Sequence, residues 1–204
     1  MRTLICLGVM LCAGVGAAEG LRPHEATVFE FGRPDSLEVY VITETVDELV
    51  YSQDGGGTQR GKFSHDRIER VEYGPVSHAA YYQARSDLED QPGEAAGDFQ
   101  KVATEGKSEW DRVNGYLGMI EAWGKAGEPE RAAAAADRMA DTFPRSAYLL
   151  RALRRKAEIL VAAERLAEAA AAYAAIGERD FGSMQPQADA LAVGGKARVA
   201  GLRG

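Results

Sequence analysis

An internal repeat of 37 residues limits what this chain can fold into more than any other feature. Ala95, Ala132 and Ala169 are spaced by 37 residues, as are Phe99, Ala136 and Tyr173, and Val102, Met139 and Ile176. Each set reads Ala-x-x-x-(aromatic or Ala)-x-x-apolar, which puts its three positions on one helix face. The small residue lets a second helix come close, and the larger ones fill the space around it. Ala157 and Gly194 share the spacing, so the last segment reads as the first helix of a fourth unit. A unit of this length cannot bury its apolar face alone and needs neighbours stacked on it.

The repeat occupies the second part of the chain. Residues 76–204 are Ala-rich, 3.6-periodic and poor in β-branched residues, so they read as helices. Breaks at Gln91-Pro92-Gly93, Gly106-Lys107-Ser108, Gly127-Glu128-Pro129, Phe143-Pro144-Arg145-Ser146 and 177–182 divide them. The expected helices lie near 76–89, 93–105, 109–125, 129–142, 146–163, 166–177 and 186–202. Before Gly74-Pro75 the texture is different. Branched and aromatic runs at 26–31, 37–43, 49–52, 58–63 and 68–73 predict five short strands, with a hairpin signal at Asp54-Gly55-Gly56-Gly57. Five strands at this spacing suggest a small meander or a barrel, and closure would remove exposed edges. The expected class is α+β, with a small β module over 24–73 and a helical repeat region over 76–204.

The helical region resembles tetratricopeptide repeats. Ala132, Ala136 and Pro144 stand at that repeat's small, small-or-aromatic and terminal-proline positions, and Ala157, Ala169 and Tyr173 match the next unit. The 37-residue spacing is similar to the longer repeats of exported bacterial envelope proteins. The resemblance covers about residues 78–202 and about three and a half units. It departs at Gln83, where a small residue is expected, and the tryptophan near the start of each unit's first helix is missing. The resemblance implies a solenoid whose first helices line a concave groove for a protein or peptide segment. In the basic cluster Arg151, Arg154, Arg155 and Lys156, Arg151 and Arg155 are four apart on one helix face and fall at groove-lining positions, while a solvated face with an Arg154–Glu158 pair is the plainer expectation. Repeats of the carboxylate-clamp type carry basic residues there. They also need a lysine and two asparagines in earlier units, where this chain has Ala80, Ala84 and Gly118. Tyr81, Tyr116 and Trp123 are further candidate anchors, with core packing the stronger expectation for Trp123. The front module is similar to a β segment that often precedes such repeats, and implies architecture only.

The N-terminus carries an address. After Arg2, an uncharged run from Leu4 to Ala18 ends in small residues, the pattern of a secretory signal over 1–18. The run is shorter than the roughly 20 residues of a spanning helix. Cleavage after Ala18, or after Ala17, would export the protein to the periplasm, the envelope or the medium. Cys6 and Cys12 both fall in this segment, so the mature chain would have no thiol or disulfide. Leu11 stands where lipid attachment at Cys12 wants a small residue.

Charge and motif searches narrow the function. The net charge is −7, and residues 19–73 hold 12 acidic and 6 basic side chains. An acidic β module is a poor ligand for nucleic acid. His24, His65 and His78 are not spaced as metal ligands, and no nucleophile elbow or phosphate loop is present. Neither a cofactor nor a metal is expected. The reading is a non-enzymatic exported scaffold, with a structural or self-associating envelope component as the alternative.

Overall fold

The computed structural model describes residues 21–33, 35–56 and 59–202. The signal expected over 1–18 lies outside the described residues. Five antiparallel strands come first: β1 (His24–Glu30), β2 (Ser36–Glu44), β3 (Glu48–Ser52), β4 (Arg60–Ser64) and β5 (Ile68–Tyr73). Seven helices follow: α1 (Ala79–Asp87), α2 (Pro92–Glu105), α3 (Glu109–Lys125), α4 (Pro129–Thr142), α5 (Leu149–Ala162), α6 (Leu166–Gly177) and α7 (Gln185–Leu202). The class is therefore α+β.

The strands are ordered β4-β3-β2-β1-β5. Alternation in β1 buries His24, Ala26, Val28 and Glu30 and turns Glu25, Thr27 and Phe29 outward. Ala26, Val28, Val39, Val41, Leu49, Phe63 and Ile68 form the core of the sheet. Of the two forms expected, a meander or a barrel, the barrel is corrected: the sheet stays open, with β4 and β5 as its edges. The physical reason lies in the link between them. The 3-10 turn His65–Arg67 joins β4 to β5, which run in the same direction at opposite edges of the sheet, so no hairpin pairs them. Charged side chains protect the edges, Arg60 and Lys62 on β4 and Glu69, Arg70 and Glu72 on β5.

Each helix packs on the next, and α3 also touches α1 and α5, as α5 touches α7. Pro92 and Pro129 open α2 and α4, where the missing N–H costs nothing. Ser108 caps α3 by accepting from the Asp111 N–H at 3.0 Å. The nine repeat positions are the buried seams: none of Ala95, Ala132, Ala169, Phe99, Ala136, Tyr173, Val102, Met139 and Ile176 exceeds 2% exposure. Phe99 and Tyr173 each lie against a glycine of the following odd-numbered helix. A Cβ on Gly118 would stand 2.3 Å from the Phe99 ring, and one on Gly195 2.2 Å from the Tyr173 ring.

Strand and helix regions meet over a broad joint. The α5 helix starts at Leu149 rather than near 146, because the chain before it is paired with the sheet. Thr45 bridges Ser146, the Val46 N–H donates to the Arg145 carbonyl at 2.9 Å, and the Ala147 N–H donates to the Glu44 carbonyl at 3.1 Å. Val46 is 2% exposed and belongs to the apolar cluster of α5, α6 and α7. Arg145 pairs with Asp47, and the Ser183 hydroxyl donates to the Val46 carbonyl at 2.8 Å.

Candidate functional site

A groove of about 400 Å³ runs along α1, α3 and α5. It is lined by Tyr81 and Arg85 from α1, by Asn114, Leu117, Gly118, Ile120 and Glu121 from α3, and by Arg151, Arg154, Arg155 and Glu158 from α5, with Phe99 of α2 at its floor. The repeat explains why these residues converge. Asn114 and Arg151, Leu117 and Arg154, Gly118 and Arg155, and Glu121 and Glu158 are each 37 residues apart, and Tyr81 is 37 before Gly118. Equivalent turns of successive helices thus face one hollow. Gly118 holds the middle of the groove open because Phe99 occupies the space a side chain would need.

Arginine outnumbers carboxylate here. Arg85 lies 3.6 Å from Glu121. Arg154 donates to Glu158 at 2.7 Å, and Arg155 approaches the same carboxylate at 3.7 Å. Among the described residues Arg151 makes no ion pair, and it is exposed. Four guanidiniums against two carboxylates leave a local positive potential on an acidic protein, which suits a carboxylate or an acidic segment.

Of the residues expected from sequence, Arg151, Arg155 and Tyr81 come together in this groove. Tyr116 does not line it. Tyr116 is 7% exposed, packs edge-on to Phe143 with centroids 6.3 Å apart, and has its hydroxyl 3.3 Å from that of Thr142. Trp123 is half-buried under the Arg131 guanidinium, 4.6 Å from its ring centre. The Arg154–Glu158 pair is present as the sequence suggested, but it lies in the groove, and sequence reasoning missed Arg85, Asn114, Leu117 and Glu121 there. The signal that finds three of them was present: the 37-residue offset from Arg151, Arg154 and Glu158 names Asn114, Leu117 and Glu121.

A second cleft, about 740 Å³, opens between the ends of β1 and β5 and the starts of α1 and α3. Its polar floor is occupied by its own contacts. Ser108 Oγ lies 3.2 Å from His24 Nδ1, His24 Nε2 lies 3.2 Å from the Gly74 carbonyl, and both Asp111 oxygens accept from Ser77, from N–H at 2.8 Å and from O–H at 2.6 Å. Serine, histidine and aspartate are all present, yet the aspartate holds Ser77 and not the imidazole. The arrangement pins β1 and the β5–α1 link to the start of α3. His65 Nε2 bonds the Thr45 carbonyl at 2.7 Å. Among the described residues no three His, Cys, Asp or Glu side chains converge as metal ligands would, and no helix is long and apolar enough to cross a membrane.

No family model matches this chain. No curated protein and no solved structure matches it either. The functional reading therefore rests on the groove and on the sequence.

Proposed function

We propose that this protein is a non-enzymatic, exported interaction scaffold of the tetratricopeptide-repeat type. It takes a peptide or protein segment into the groove along α1, α3 and α5. The observation that carries the reading is the convergence of repeat-equivalent side chains on one concavity with excess arginine. Export is supported by the uncharged run from Leu4 to Ala18. Arg151 and Arg155 serve as the main charge anchors, and Tyr81 and Leu117 supply apolar contact. An acidic stretch or a free C-terminal carboxylate is the ligand chemistry that fits.

The test uses a displayed random-peptide library with free C-termini, panned at low salt. Enriched peptides should be acidic or share a C-terminal pattern. Each exposed charge contact is worth about 0.5–1 kcal/mol. Arg151→Ala combined with Arg155→Ala should therefore weaken binding about tenfold, and the loss should shrink at high salt. The helical signal should be unchanged. Peptides that bind the double variant as well as the wild type would overturn the reading.

A second reading, a self-associating envelope component, is favoured by one observation: Val193 and Leu202 on α7 are 70% and 55% exposed. Sedimentation at micromolar concentration separates the two. A monomer that binds selected peptides supports the scaffold, and a stable oligomer indifferent to them supports self-association.

A further inference from the structure

One small gap in the joint between sheet and helices is lined by two carboxylates and by neither lysine nor arginine. Glu44 ends β2 at 8% exposure, and Glu109 is the first residue of α3. Both line one gap of about 10 Å³, room for about one water. Tyr73 of β5 and Tyr148 before α5 donate to Glu44 Oε2 at 2.6 and 2.9 Å. His65 Nε2 stands 3.8 Å from Glu44 Oε1. From β1, His24 faces the same gap, and neither lysine nor arginine lines it. Glu44 is thus well solvated by hydroxyls as an anion. At Glu109, burial disfavours the charged carboxylate and outweighs the Thr43 side chain and the Glu44 backbone, whose hydrogen bonding favours it.

We propose that Glu109 and Glu44 form a proton-controlled latch between β2 and the start of α3. The latch is closed while Glu109 carries a proton and loosened when both groups are charged. In the acid form one negative charge sits among hydroxyl donors. Loss of the Glu109 proton places two like charges at a small gap that neither lysine nor arginine lines, and the pair is relieved by admitting water. Loss of solvent, aided by the Glu44 charge, pushes the Glu109 carboxyl up to about 7, so the change falls near neutrality. The Tyr73 and Tyr148 hydroxyls are pushed up by the same burial and stay neutral donors throughout. The pairing of Thr45 with Ser146 holds the two regions together while the α3 end opens. The inference does not depend on what the groove binds.

Trp110, next to Glu109, reports the state of the gap. Its ring stacks on Tyr73 at 4.1 Å between centroids, and its buried Nε1 has no hydrogen-bond partner. Water entering the gap reaches this nitrogen. The chain has two tryptophans, so a Trp123→Phe protein isolates the signal. Its emission should move to the red as pH rises from about 5.5 to about 8.5, with one midpoint near 7 and unchanged far-ultraviolet circular dichroism. Glu109→Gln on this background should hold the acid-form emission at every pH. Glu44→Gln removes the repelling charge and should keep the transition but move it to lower pH. Emission that ignores pH, or a transition that survives Glu109→Gln and so belongs to a histidine, overturns the latch. Should Glu109→Gln fail to fold, an unshifted midpoint in Glu44→Gln overturns it equally.

Discussion

Glu109 illustrates how a single side chain ties stability to pH. Its carboxyl is raised from an ordinary 4.5 to about 7 in the folded protein. The folded chain therefore holds this proton more tightly than the unfolded chain. The contribution is fully present below pH 4.5, declines as pH rises toward 7, and is gone above it. The span amounts to about 3 kcal/mol at 1.36 kcal/mol per pH unit. Urea midpoints taken at pH 5 and pH 8 should show that decline, and Glu109→Gln should flatten it. An equal slope in the variant would assign it elsewhere. Glycine positions give a second residue-scale prediction. Gly118→Ala drives a methyl into the Phe99 ring and should cost about 1–3 kcal/mol. Gly97, with open space around it on α2, should gain about 0.5–1 kcal/mol as Ala. Thermal melts of both variants check the contrast. Neither Glu109 nor Tyr116 could be placed from sequence. Glu109 reads as an ordinary first-turn acid until β2 is laid against it, and Tyr116 reads as a surface aromatic until α4 covers it.

At the level of elements, the positions with strict spacing were the readable ones. The 37-residue alanines and their partners became the buried seams, because a helix packed on both sides tolerates one small residue in one place. The seven helices and five strands follow the period changes at Gly74-Pro75 and at the Pro and Gly breaks. Two things escaped. Closure of the sheet depends on how the three residues after β4 turn, which hydrophobic alternation does not encode. The start of α5 moved to Leu149 because Arg145, Ser146 and Ala147 pair through the backbone with Val46, Thr45 and Glu44, far earlier in the chain, and helix periodicity is blind to such pairing. Three of the groove's lining residues were legible, Tyr81, Arg151 and Arg155, the two arginines because they stood four apart. Arg85 was not, because it lies on α1, where the repeat is weakest.

The whole molecule joins two textures through a joint that neither texture announces. Val46 fills a slot among α5, α6 and α7, while His24, Tyr73 and Trp110 pack around the start of α3. Residues 74–204 alone should still be helical by circular dichroism. They should melt below the intact protein, since Val46 and Tyr73 would leave apolar ground exposed on the helices. An identical melting temperature would show that the joint carries no stability. The central claim, that the hollow along α1, α3 and α5 is where a partner segment lies, has a direct test in the intact protein. Backbone amide shifts are mapped by nuclear magnetic resonance as an acidic display-selected peptide is added. The account predicts shifts concentrated at Tyr81, Asn114, Leu117, Arg151 and Arg155, weakened in the Arg151→Ala, Arg155→Ala protein. Shifts confined to the sheet or to the outer faces of α2, α4 and α6 would contradict it.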